Sequence, residues 1–332
     1  MKAVRDAILA TLLLGLAVYA GSARGRDLDP ALAGYLAATL VGCFVTTWRT
    51  SAAWRRPAAA FYSRTLLAAL RSPGELRRTL AAASRDLAAQ RMIARRSTPR
   101  WAAHLLLSGG TAASVAIVLP LVFGWVRFEA TGLRAYRLHV LSVPTVSFDV
   151  DGVAAWLAFN ALNLAAVAVV AGAAYFLARR LRTRRAGVAP LLLLLAVAIT
   201  GLALPVTSAL ASPTLQRLAA WAHEVAVVAF LAAAPFTYLS HALIRPLGLG
   251  AKLVRAASAH LAHCGACAAP LAPRAQRNAV LGLLAAEGLP ATPHQHLCPS
   301  CRRRCVATAQ AALLGARFQP AVVPGQPTER AA

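Results

Sequence analysis

The chain has 332 residues, 58% of them hydrophobic and 14% charged, with a formal net charge of +24. A mean hydropathy of +0.58 excludes an ordinary soluble domain and points to a polytopic membrane protein. The positive charge does not imply a nucleic-acid partner, because the arginines fall between apolar segments in alternate loops, as the positive-inside rule requires.

Residues 1–47 hold two apolar segments. Ala7 to Ala20 follows Lys2 and Arg5 and predicts a short first membrane helix. The small residues Gly21-Ser22-Ala23 keep a cleaved signal peptide as the alternative. A polar turn, Arg24 to Pro30, leads into a second helix, Ala31 to Thr47, in which the lone Cys43 serves packing. Residues 48–100 are rich in arginine and poor in acids, with apolar stretches such as Leu66-Leu67-Ala68-Ala69-Leu70 between the charges. Amphipathic helices of this kind lie on a membrane face, stems over apolar surface and guanidinium heads at anionic lipid.

Residues 101–246 predict a core of four membrane helices. These are Trp101 to Phe128, Val153 to Leu177, Val188 to Leu210 with an interruption at Pro205, and Ala220 to Pro246. Glu129 to Gly152 is expected to be an outer loop carrying His139. The 48–100 segment and the arginine cluster from Arg179 to Arg185 must face the cytoplasm. The N-terminus and the tail after Arg245 then lie on the same side. The expected fold is an all-α polytopic membrane helical bundle of five or six transmembrane helices, with a small cytoplasmic metal-binding tail.

The last membrane segment carries His223 and His241, eighteen residues apart. On one continuous helix that spacing is five whole turns, so both imidazoles share a face and lie roughly 27 Å apart. Titratable groups at membrane depth are costly and mark function. Imidazole is a good iron ligand, so two stacked histidines suggest two haem irons. The third helix and the sixth run in opposite directions. This puts His104 and His241 at one depth, near the cytoplasmic surface, where they can grip one iron from two sides. His223 faces the outer leaflet. Its candidate partner is His139, since the position ten residues beyond His104 is Ser114. A five-coordinate haem or a quinone contact at His223 is the alternative. Glu224 adjoins His223 and suits either a proton acceptor for quinol or a carboxylate at a helix start. Asn160 and Asn163 suit bonds between helices.

The pattern from His223 to Pro246, H-x17-H-x4-P with Pro235-Phe236 inside it, resembles the last helix of the cytochrome b membrane subunit of respiratory nitrate reductase. It also resembles the related subunits of heterodisulfide-reductase-type complexes. The start of the third helix, Arg100-Trp101-x2-His104-Leu105-Leu106, is similar to that family's other haem helix. A bacterial membrane-protein group in which such a core carries a cysteine-pair tail is similar as well. The resemblance covers roughly residues 31 to 310. It implies haem b, one or two per chain, a bacterial cytoplasmic (inner) membrane location, and electron passage between the quinone pool and a cytoplasmic iron–sulfur or molybdenum oxidoreductase. The chain departs from nitrate reductase in lacking a second histidine in the third helix.

Residues 247–318 contain Cys264-Gly-Ala-Cys267 and Cys298-Pro-Ser-Cys301. Two C-x2-C knuckles on the reducing side of a membrane offer four thiolates to one ion. A tetrahedral sulfur set suits zinc, with a single iron as the alternative, since Cys-Pro-Ser-Cys also resembles a rubredoxin knuckle. A helix is expected from Gln276 to Glu287. Cys305 is a spare thiol, and His294 and His296 flank the second knuckle. Residues 319–332 are expected to be disordered. Membrane electron transfer is the leading expectation. The competing class is a non-redox transporter or scaffold with a structural zinc tail, and a thiol-redox protein using the C-x2-C pairs is a third.

Overall fold

Among the described residues, six helices are long and apolar enough to cross a bilayer: Lys2–Gly21, Pro30–Trp54, Thr98–Val122, Val153–Arg182, Ala189–Ala209 and Pro213–Phe236. The computed structural model describes residues 1–184, 186–257, 260–290 and 293–315. The 319–332 segment, expected to be disordered, lies outside them. The spans form a multi-pass helical bundle whose apolar side chains are turned outward. On α1 (Lys2–Gly21), Leu12, Leu13 and Leu16 are each about two-thirds exposed, while Ala7 is fully covered. Large residues facing out and small residues facing in suit a lipid solvent, where packing and not water exclusion holds helices together.

Helix α2 (Ala33–Trp54) follows a 3-10 turn that Asp29 caps through the Ala31 amide. It packs on α1 and on α9 (Pro213–Ala233). The circuit continues through α8 (Ala189–Ala209) and α7 (Val153–Arg182) to α6 (Thr98–Val122). Two glycines bring α6 and α7 into backbone contact. A Cβ on Gly110 would stand 2.6 Å from the Ala165 carbonyl oxygen, and one on Gly172 would stand 2.6 Å from that of Ala103.

The segments between the spans gather at two ends. One end carries a three-stranded antiparallel sheet, β1 (Val126–Ala130), β2 (Ala135–Val140) and β3 (Val143–Asp149), in that order. The outer loop expected over 129–152 is thus mostly sheet. Its physical basis is a period-two pattern, with Tyr136, Leu138 and Val140 alternating with Arg137 and His139. Phe128, Tyr136, Phe148 and Phe159 tie the sheet to α7, the Tyr136 and Phe159 rings lying 5.1 Å apart. The turn after α1 docks here too, through Ser142 to Asp27 at 2.6 Å and Arg127 to Asp27 at 3.4 Å.

The other end carries the arginine-rich segment as α3 (Pro57–Leu70), α4 (Pro73–Ala83), a π-turn at Ser84–Ala88 and α5 (Arg91–Ala94). The tail sits on it. Helix α11 (Leu247–Ala257) packs on α3 and α4, and α12 (Arg274–Ala286) touches α3. Strands β4 (Leu261–His263) and β5 (Pro270–Pro273) pair, and α13 (Pro299–Leu313) closes the tail. Among the described residues, the basic side chains at the sheet end are Arg24, Arg26, Arg127, Arg134, Arg137 and Arg217, and the rest belong to the other end.

Several boundaries differ from expectation, among them the second span, which runs on to Trp54 and not Thr47. Helix α6 stops at Val122, not Phe128, where Gly124 adopts a positive φ of 65° and the chain turns into β1. Helix α8 runs through Pro205 without a break. The segment Ala220 to Pro246 is not one helix. The span begins at Pro213, with Ser212 capping it, and ends at Ala233. Pro235 has no N–H to continue the ladder, so the chain tightens into a 3-10 turn and then extends at Thr237, φ −104° and ψ 176°. A second 3-10 turn precedes α10 (His241–Ile244). Eighteen residues therefore do not make five helical turns between His223 and His241.

Candidate metal centre and histidine sites

The tail brings its four predicted ligands together. The Sγ atoms of Cys264, Cys267, Cys298 and Cys301 all lie within 4.8 Å of one another. The Cys267 and Cys298 sulfurs are 3.7 Å apart. A zinc–sulfur bond of about 2.3 Å gives a tetrahedral edge of about 3.8 Å, so the donor set fits a tetrahedral ion. The backbone prepares the sulfurs. Amides of Cys298 and Ala266 point at Cys264 Sγ, at 3.2 and 3.5 Å, and the Cys301 amide at Cys298 Sγ, at 3.5 Å. The second knuckle is also a helix cap, because Cys298 stands at the N-cap of α13. The Gly265 amide donates to the His296 carbonyl at 2.9 Å and joins the two knuckles.

These contacts set the acidity of the thiols. The Cys298 and Ala266 amides hold Cys264 down to about 6. The Cys301 amide lowers Cys298. Cys301 is pushed up to about 12, through hydrogen bonds to Cys267 and Cys298 and the charge on Cys264. One thiolate is easy and several are costly, which a divalent cation reverses. His294 and His296 lie outside this four-sulfur group, and Cys305 is an exposed free thiol.

At the same end, His104 and His241 come within electrostatic range of each other, together with Arg245. His104 projects from α6 against Phe176 of α7, the rings edge to face at 6.0 Å. Its Nδ1 is buried without a hydrogen-bond partner. His241 donates Nδ1–H to the Tyr238 carbonyl at 2.6 Å, which leaves Nε2 available. The segment that carries it is pinned from two helices. Arg180 of α7 stacks on Tyr238 at 4.5 Å and Arg49 of α2 on Phe236 at 4.7 Å. The Trp54 indole donates to the Leu243 carbonyl at 3.2 Å. His104 thus offers an unpaired Nδ1 and His241 an Nδ1 held by a carbonyl, on two separate segments at the same end of the bundle.

His223 sits elsewhere, lining a partly open cavity of about 220 Å³ bordered by α2, α6, α7, α8 and α9. Its Nδ1 meets Thr200 Oγ1 at 3.1 Å, and its ring lies 6.2 Å from Tyr35. Gly201 leaves room for the ring, since a Cβ there would stand 3.1 Å from it. Tyr35, Thr39, Thr111, Ser114 and Asn163 are the polar groups of an otherwise apolar wall. Glu224 packs over Gly34 at the α2–α9 contact. Asn160 and Asn163 bond within α7, with Asn160 donating to the Trp156 carbonyl at 3.0 Å.

His139, the candidate outer ligand, lies in β2 and is 7% exposed. Its Nε2 is 2.8 Å from Glu129 Oε2, and its Nδ1 is 3.3 Å from Arg127. Both nitrogens thus lie near protein groups, though Nε2 makes no hydrogen bond, and among the described residues no hydrogen bond joins His139 to His223. Thr200 takes the place beside His223 that the sequence reading had offered to His139. That partner was hidden, because it needs the packing of α8 on α9 and not a pattern along the chain. No protein-family model matches the chain, and neither the curated proteins nor the solved structures contain a match to it.

Proposed function

We propose that the chain is a membrane-embedded b-type cytochrome that carries electrons between membrane quinone and a cytoplasmic iron–sulfur or molybdenum oxidoreductase. One observation carries this reading. His104 and His241, from segments far apart in sequence, lie within electrostatic range of each other at the basic end of the bundle, and His104 Nδ1 is buried without a hydrogen-bond partner. A haem bound there would supply a one-electron couple at membrane depth. The protein's own part is to hold the two imidazoles. Tyr238 fixes the tautomer of His241, Phe176 orients His104, and Arg245 brings positive charge beside the pair. The cavity beside His223, apolar with a few hydroxyls, suits a quinone ring. The basic end faces the cytoplasm in this reading, by the charge asymmetry between the two ends. The tail metal, zinc or a single iron, staples a domain too small to fold on a core of its own.

The test is a reduced-minus-oxidised spectrum with haem quantitation on purified protein and on His104→Ala, His241→Ala and His223→Ala. The expected result is a b-type signal lost in the first two variants and kept in the third. Folded, haem-free protein from haem-replete cells overturns the reading. A second reading is a non-redox membrane scaffold or transporter with a metal-stapled tail. It is favoured by the His223–Thr200 hydrogen bond, which gives His223 an ordinary interhelical role. Colourless protein that retains zinc would select it.

A further inference from the structure

At the basic end, Arg85, Asp86, Arg91, Met92, Arg95 and Lys252 line a concavity of about 500 Å³. Three separate pieces of chain build it: the π-turn, α5 and α11 of the tail. Asp86 neutralises Lys252 through an ion pair. Arg85, Arg91 and Arg95 have no acidic partner among the described residues. Three guanidinium groups gathered in one hollow repel one another, and an anion in the hollow relieves that repulsion.

The walls are held in place independently of any ligand. The Trp101 indole donates to the Ala89 carbonyl at 2.9 Å, and the buried Gln90 side chain donates to Ser108 at 2.7 Å. Gln90 itself takes a left-handed φ of 50°, which reverses the chain between the π-turn and α5. Depth argues for the kind of anion. Arg95 lies three residues before Thr98, where the span α6 begins, and Trp101 sits in its first turn. This is the level at which phosphates border the hydrocarbon of a bilayer, and where indole rings settle. Guanidinium forks match phosphate oxygens in pairs, which ammonium groups do not.

We propose that this hollow is a specific site for a phosphate-bearing anion, presented by a phospholipid headgroup or taken from solution as a free phosphate or pyrophosphate. It does not rest on the haem reading.

The test uses the full chain in a neutral detergent. Binding of phosphatidylglycerol, phosphatidylcholine and pyrophosphate is measured by native mass spectrometry and by the shift in unfolding temperature. The variants are Arg91→Gln/Arg95→Gln, its Lys/Lys counterpart, and Arg134→Gln/Arg137→Gln at the sheet end as a control for lost charge. Each basic residue near an anionic surface contributes about fivefold in affinity. The Gln pair is therefore expected to weaken phosphatidylglycerol binding about 25-fold. The control pair should leave it unchanged, and the Lys pair, which keeps the charge but loses the paired hydrogen bonds, should bind between wild type and the Gln pair and report that the fold is intact. Binding of the lipid alone assigns the headgroup as source. Equally tight binding of pyrophosphate through the same arginines assigns the soluble source. Equal affinity in wild type and the Gln pair, or equally tight phosphatidylcholine, overturns the proposal.

Discussion

The four cysteines of the tail and the two histidines at the basic end are placed by opposite kinds of construction. Each C-x2-C turn builds half of the tail site locally, its own amides aimed at its own sulfurs. The Cys298 amide on Cys264, the Gly265–His296 bond and the Cys267–Cys298 sulfur contact join the halves. His104 and His241 owe nothing to local geometry. One rides a membrane span, and the other rides a short helix after a proline break, held by Arg49, Trp54 and Arg180 from two further helices. Sites made by turns survive changes in helix packing, and sites made by packing do not.

Experiments can break that contrast at several points. Cys298→Ser is expected to have the largest effect, because it removes a ligand and alters a helix cap together. It should abolish bound metal, read by elemental analysis, and expose the tail to protease while the spans stay folded. Gly172→Leu attacks the other kind of site. It drives a side chain into the Ala103 backbone and separates α6 from α7. The expected cost is about 3 kcal/mol, seen as a lower unfolding temperature in detergent, with tail metal content unchanged. Metal loss in this variant would show that the two sites are not independent.

Arg180→Gln is milder. It removes the stacking on Tyr238 and the bonds to the Ala186 and Gly187 carbonyls. A loss of about 1 kcal/mol is expected, together with faster cleavage near Tyr238. The smallest perturbation is a proton. In the chelator-treated tail, Cys264 ionises at about 6, below the ordinary thiol value of 9.0. Its contribution to the folded tail is complete above pH 9 and is lost as the pH falls through about 6. Cys301, pushed up to about 12, has the opposite sign, complete below pH 9 and lost as the pH rises through 12. At pH 7, alkylation should therefore mark Cys264 before Cys301, by about tenfold or more. Labelling in the reverse order would show that access, and not charge, governs these thiols.

The legibility of the sequence follows the same division. The six spans were visible because a bilayer imposes length and composition on each segment separately. The cysteine knuckles and the helix near Gln276 were visible for the same local reason. The sheet has a signal in Tyr136, Leu138 and Val140 alternating with Arg137 and His139, but the strands are short and lie between two spans, where composition alone suggests a loop. The break in the last segment had its signal in Pro235, but mean hydropathy runs through it without change. The Thr200–His223 bond and the Gly172–Ala103 contact had no signal along the chain, since both exist only after helices from different parts of the sequence meet.

The clasp at the sheet end bears on the order in which the chain assembles. Asp27 sits between the first two spans, yet Ser142, which binds it, lies 115 residues later. Arg127 and the backbone around Gly124 meet the same turn. As the chain emerges from the ribosome, the first hairpin must wait in the bilayer with Asp27 unmet by these partners until the third span has crossed and β1 to β3 have folded beyond it. The sheet acts as a latch that closes late, on helices inserted early.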